Sequence, residues 1–154
     1  MDSSNRAGQV ITFYSYKGGT GRSMALANIA SVLARRPHTG KGILMIDWDL
    51  EAPGLHRYFR AQLKKQLGTT DDRILDEHPG LIDFFWELYA KLQPQNGARK
   101  KLMEEDDAIA LLEEIDLRRF ILDTDIPSLS LLKAGRFTRY GSDAPKLASF
   151  RFLR

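Results

Sequence analysis

The chain alternates short apolar runs with longer stretches in which apolar residues recur three or four positions apart, and these two periods predict strands and helices in turn. Val10, Ile11, Phe13 and Tyr14 form a β-branched and aromatic run between Gly8 and a glycine-rich segment, the pattern of a buried strand. Ile43 to Ile46 (ILMI) is a second such run, and Phe120 to Ile126 and Leu129 to Ala134 give two more around Pro127-Ser128. Met24 to Arg36 is rich in Ala and Leu, with small residues at Ala25, Ala27, Ala30, Ser31 and Ala34; that suits a helix lying close against a sheet and stopped by Pro37. Gly54 to Gly68 sets Leu55, Tyr58, Phe59, Leu63 and Leu67 against Arg57, Arg60, Lys64 and Lys65, an amphipathic helix with a basic face. Gly80 to Gln93 carries Leu81, Phe85, Leu88 and Leu92 in one stripe, with Ile82, Trp86 and Tyr89 beside it. Ala98 to Asp116 keeps Leu102, Ile109, Leu112 and Ile115 in helical register, with a helix start at Asp106 or Asp107. Thr69 to Pro79 is polar and reads as a loop, and residues 1–9 as a flexible lead-in.

A strand, a helix and a second apolar strand in succession predict a right-handed βαβ unit, so the fold class expected is α/β with a parallel sheet core. Ligands of such units bind at the carboxyl ends of the strands, and both ends here carry chemistry. After Val10–Tyr14 comes Ser15-Tyr16-Lys17-Gly18-Gly19-Thr20-Gly21-Arg22-Ser23. Gly18, Gly19 and Gly21 can take backbone angles closed to other residues, so successive N–H groups can turn toward one anion. The helix that follows adds the partial positive charge of its N-terminus, completing a phosphate cradle. A plain glycine turn with a solvated Lys is the alternative, but it would not need a basic residue and a hydroxyl directly after the last Gly. The second strand ends in Asp47-Trp48-Asp49. Period-two geometry sends the two carboxylates one way and Trp48 the other, and carboxylates beside bound phosphates suit a Mg²⁺ ion and an attacking water. The competing reading is that the pair caps the next helix or forms a solvated turn.

The stretch KGGTGRS, Lys17 to Ser23, departs from the ordinary P-loop G-x-x-x-x-G-K-[ST] in having Tyr16 for the first Gly and Arg22 for the Lys. It resembles the deviant Walker A signature KGGxGK[ST] of the ParA/MinD ATPases, in the form that carries Arg, and ILMIDWDLEAPG resembles the same family's second motif. The resemblance implies a Rossmann-like P-loop NTPase that binds ATP with Mg²⁺, hydrolyses it slowly and dimerises around it as a switch for a protein partner. It implies that Gly18, Gly19, Thr20, Gly21, Arg22, Ser23 and Met24 hold the nucleotide. Lys17 would reach the phosphates across a homodimer, Ser23 and Asp47 would serve the metal, and Asp49 would act through the metal shell on the attacking water. Arg brings a larger planar fork than Lys and never loses its proton, so phosphate binding is expected to survive at Arg22, while the position of the γ-phosphate is altered. Leu131-Leu132-Lys133-Ala134-Gly135-Arg136 resembles the family's LLPAGR strand end with Lys133 for Pro, which makes Phe120–Ile126 a preceding edge strand. In the competing alignment Phe120–Asp123 is the Walker B strand and Asp123 its carboxylate. On the first, a single partial domain over 10–154 is expected, ending before Walker B and switch II, with a mainly helical insertion at about 60–118.

Composition narrows the alternatives. The 154 residues include no Cys, which excludes disulfides and thiolate metal sites and fits a reducing, cytoplasmic setting. No apolar stretch reaches membrane-spanning length, so no integral membrane segment is expected. The net charge of +3 and the basic face at 57–65 admit nucleic acid as a partner, although a solvated helix face explains that pattern better. His38, His56 and His78 lack a His or Cys at ligand spacing, and Glu104 to Asp107 point in different directions on a helix, so neither set is assigned a metal. Two other functions share these motifs. One is a bacterial-type tyrosine kinase, against which Tyr14, Tyr16, Tyr58, Tyr89 and Tyr140 are scattered rather than clustered. The other is a non-catalytic module that senses nucleotide or docks a partner.

Overall fold

The strand Leu129–Leu132 is the element about which the others assemble. A computed structural model of the chain describes residues 8–36, 42–50, 52–92 and 105–136. Within them lie α1 (Arg22–Ala34), β1 (Ile43–Ile46), α2 (Arg60–Gln66), α3 (Asp72–Glu77), α4 (Leu81–Leu92), α5 (Glu105–Glu113), β2 (Ile121–Asp123) and β3 (Leu129–Leu132). Short 3-10 turns at Leu55–Phe59 and Leu117–Phe120 precede α2 and β2. The strands form one mixed sheet in the order β1-β3-β2. β1 runs parallel to β3 with Met45 beside Leu131, and β2 runs antiparallel to it with Leu122 beside Leu131.

A strand paired on both edges and covered on both faces favours continuous apolar sequence over alternation, which is why LSLL is central. Leu129 and Leu131 enter one core with Met45, Leu122, Ala27 and Ala30 of α1, and Leu55, Phe59, Leu63 and Leu75. Leu132 points the other way, into a second cluster with Leu81, Ile115 and Phe120, flanked by Phe84, Phe85 and Leu88 of α4. The segment expected as an insertion therefore supplies core residues to both faces of the sheet. α4 is also stitched to the end of β3. Its first N–H groups, on Leu81 and Ile82, donate to the carbonyls of Lys133 and Ala134 at 2.8 and 2.9 Å. The approach is so close that a Cβ on Gly80 would lie 2.3 Å from the Lys133 carbonyl oxygen.

The hairpin between β2 and β3 closes on Thr124, whose hydroxyl donates to the Leu129 carbonyl at 2.8 Å. Ser128 there takes φ 63°, the one non-glycine left-handed residue among those described. No helix among the described residues is long and apolar enough to cross a membrane.

Several expectations are corrected. Val10–Tyr14 is not a strand: it pairs with nothing in the sheet, and Val10, Ile11 and Tyr14 are exposed. β3 is hydrogen-bonded on both edges, by β1 and β2, and the run does not take up the outer edge of β1, so it has no ladder partner and is not buried as a strand. The βαβ unit built on it is consequently absent, and the parallel core reduces to the β1–β3 pair. Thr69–Pro79 is not all loop, because the Asp71 carboxylate caps α3 by accepting from the Arg73 N–H at 2.9 Å and Leu75 is buried completely. The stretch 54–68 divides into a 3-10 turn and α2 and leaves Tyr58 exposed. Expectations at Pro37, His38, Pro94, Leu102, Glu104 and the tail from 137 lie outside the described residues.

Candidate functional site

The segment from Ser15 to Gly21 is held by its own small polar groups. The Ser15 hydroxyl lies 2.9 Å from that of Thr20 and donates to the Lys17 carbonyl at 2.9 Å. Gly19 and Gly21 take φ of 73° and 79°, angles that a side chain would make costly. Gly18 does not adopt a left-handed angle, so two of the three glycines use the freedom expected of them. A Cβ would find nothing within 4 Å at Gly18 or Gly19, so both positions border open space.

Gly21 is the N-cap of α1, with no side-chain cap, and the first helical bond runs from the Ala25 N–H to the Gly21 carbonyl at 2.8 Å. The N–H groups of Arg22, Ser23 and Met24 therefore precede the helix ladder and have no acceptor within it. Three such donors beside left-handed glycines fit an anion of phosphate type. Lys17 and Thr20 are exposed, Ser23 is half-buried, and Met24 is exposed next to the loop.

Arg22, the first helical residue, forms an ion pair with Asp49, 27 residues away, and its other terminal nitrogen reaches the Ser15 carbonyl at 3.5 Å. The glycine loop and the Asp-Trp-Asp turn are thus brought together at one place, as the sequence predicts. The two carboxylates differ in setting. Asp47 follows β1 on the side of buried Met45 and is itself buried, accepting N–H bonds from Leu55 at 3.0 Å, Gly54 at 3.2 Å and Asp49 at 3.3 Å. Burial raises its pKa above the usual carboxylate value and outweighs the opposing effect of those three donors. Asp47 thereby caps the Leu55–Phe59 turn, the competing role weighed for it from sequence. Asp49 is half-buried, and its second oxygen accepts from the Ala52 N–H at 3.1 Å. Trp48 turns outward and meets Phe85 of α4 edge-on at 5.8 Å.

Mg²⁺ is ordinarily held by one or two carboxylates together with phosphate oxygens and water, not by an all-protein cage. Asp49 and the Ser23 hydroxyl suit that ligand type, whereas Asp47 is committed to backbone donors. No group of three or more His, Asp or Glu able to hold a metal occurs among the described residues. Asp123 lies on an edge strand, exposed, where it accepts from the Ser130 hydroxyl at 2.7 Å. That position separates it from the loop-bearing motifs and agrees with its reading as part of an edge strand. On the basic face, Arg60 and Lys64 both bridge Asp72, at 2.7 and 2.9 Å, so two of the four expected basic residues are paired within the chain and share one carboxylate.

Sequence reasoning missed Ser15 as the residue that ties the loop, although small hydroxyl side chains bonding to nearby backbone are a known turn signal. It also missed Trp48 as the link from the Asp turn to α4; an aromatic between two acids carries no sequence signal for that contact. Comparison with family models, with curated proteins and with solved structures gives no match to this chain.

Proposed function

We propose that this chain binds ATP with Mg²⁺ at the glycine loop and acts as a nucleotide-dependent switch of the ParA/MinD type. The observation that carries the reading is the ion pair from Arg22 to Asp49, which joins the phosphate-loop motif to the carboxylate motif across 27 residues of sequence. In this reading the N–H groups of Arg22, Ser23 and Met24 and the left-handed turns at Gly19 and Gly21 receive the phosphates, and the Arg22 guanidinium adds a fixed positive charge. The Ser23 hydroxyl and Asp49 would hold the metal, which would supply charge neutralisation at the phosphates. Lys17, which is exposed, would serve the nucleotide of a second copy, and slow hydrolysis would then reset a dimer that signals to a protein partner.

Calorimetric titration of the chain with ATP and Mg²⁺ tests the first step, with Gly21→Val to block the loop and Ser23→Ala as a variant that leaves the backbone angles untouched. Binding that both variants weaken supports the site; a folded parent that binds no nucleotide overturns it.

One observation favours a second reading. The run that would lead into the phosphate loop, Val10–Tyr14, stands outside the sheet, so the loop lacks the rigid strand that would hold a γ-phosphate in line for attack. A nucleotide-sensing module without turnover accounts for that. Phosphate release measured at saturating ATP separates the two, and label transfer from ATP to Tyr would point instead to kinase chemistry.

A further inference from the structure

The contact that joins the two motifs also sets them in competition. One Asp49 oxygen takes the Arg22 guanidinium and the other takes the Ala52 N–H. Arg22 reaches back to the Ser15 carbonyl as well. A guanidinium presents the same planar fork to a carboxylate as to a phosphate, so one group can exchange for the other without moving the helix that carries it. Both side chains keep about a third of their surface in water, 31% and 27%, and an ion pair so exposed is weak enough for a multiply charged anion to displace.

We propose that Asp49 is an internal competitor for the phosphates: it holds the Arg22 guanidinium until a nucleotide polyphosphate takes it, and that exchange releases the carboxylate for its own part in the site. The inference rests on the phosphate-loop reading above. It makes Asp49 a group that lowers nucleotide affinity before it serves the bound nucleotide. It also ties phosphate binding to the turn at Asp49–Ala52, because the carboxylate that lets go of Arg22 is the one anchored to the Ala52 N–H.

The test is a double-mutant cycle on ADP and ATP affinity in excess EDTA, where the metal roles of Asp49 are silent. Asp49→Asn is expected to bind about two- to fivefold more tightly than the parent, the range a half-exposed ion pair allows. Removing a negative charge near an anion would also raise affinity through reduced repulsion, so the same change is made in the Arg22→Gln background. There it should gain less than about twofold, the difference being the coupling of the pair. Equal gains in both backgrounds, or no gain in the first, overturn the proposal while leaving the phosphate site standing if the parent binds. Absence of binding by parent and Asp49→Asn alike overturns both. A second readout needs no ligand: modification of Arg22 by phenylglyoxal, followed by peptide mass mapping, should be faster in Asp49→Asn than in the parent, and equal rates refute the latch.

Discussion

Lys133 is a base with no solvent, and replacing it should reveal a stability that varies with pH in a set direction. Its side chain is completely buried and donates to the Asp76 carbonyl at 2.8 Å. Burial lowers its pKa from 10.5 to about 8, with Asp76 and Asp83 opposing that shift and Arg136 adding to it. At 1.36 kcal/mol per unit the spread is roughly 3 kcal/mol. The sign follows from proton counting. Between pH 8 and 10.5 the unfolded chain holds the Lys133 proton more tightly than the folded one, so this residue makes stability rise with pH through that window. Below it the penalty is present in full. Lys133→Met has similar length and no charge, and it removes the penalty; against that, the Asp76 carbonyl loses a donor, a cost of about 1–3 kcal/mol. Near pH 7 the variant should therefore equal the parent or exceed it by up to about 2 kcal/mol. By pH 10.5 it should fall below the parent, because only the lost hydrogen bond remains. Urea unfolding of both proteins at closely spaced pH values gives the difference directly, and other titrating groups cancel in it. His56, brought down to about 4, titrates outside the window. A difference that is flat across pH 7 to 10.5, or that grows in favour of Met, refutes the reasoning.

Other outcomes follow from single contacts. Gly80→Ala puts a methyl against the backbone of Lys133 and Gly135, the latter with its nitrogen 2.7 Å from the new atom, and should cost about 3 kcal/mol or more in chemical denaturation. Ser128→Gly relieves the one left-handed serine described and should raise stability by about 0.5–1 kcal/mol. Asp47→Ala leaves three backbone donors without their acceptor, and a loss of about 2–4 kcal/mol is expected by the same assay; a loss no larger than that of an exposed carboxylate would show the cap to be dispensable. Leu131→Ala opens a cavity at the crossing of β1, β2 and β3 and should cost about 2–5 kcal/mol.

The parts of the fold legible in sequence are those with a strong local period or a strong local chemistry. The stripe at Leu81, Phe85 and Leu88 fixes α4, the apolar runs ILMI and LSLL fix β1 and β3, and glycines followed by Arg-Ser place the start of α1 within a residue or two. The proximity of the glycine loop and the Asp-Trp-Asp turn was legible too, although the strand expected ahead of the loop does not form and the contact is made by the Arg22–Asp49 ion pair. Val10–Tyr14 misleads because an apolar β-branched run states a preference for a sheet and not a pairing: the outer edge of β1 carries no strand among the described residues, and β2 takes the second edge of β3 in an antiparallel sense that no local signal announces. α3 was hidden by its polarity, since a six-residue helix needs only one buried side chain, Leu75, and a cap at Asp71. The division of labour between Asp47 and Asp49 was likewise out of reach, as identical residues two apart are told apart by distant chain: Gly54 and Leu55 donate to the first, and Arg22 pairs with the second.

The pairing of Ile43 with Leu129 sets the order in which this molecule can form. β1 has no other strand beside it among the described residues, so the sheet cannot begin until nearly the whole described chain is available, and closing so long a loop is the slow kind of folding step. Until then α1 has no sheet to pack on, and Arg22 and Asp49 belong to unconnected segments. During synthesis the N-terminal third would leave the ribosome well before the strand that organises it. A truncation ahead of Leu129 would retain every residue of the glycine loop and lose the partner that fixes β1 in place.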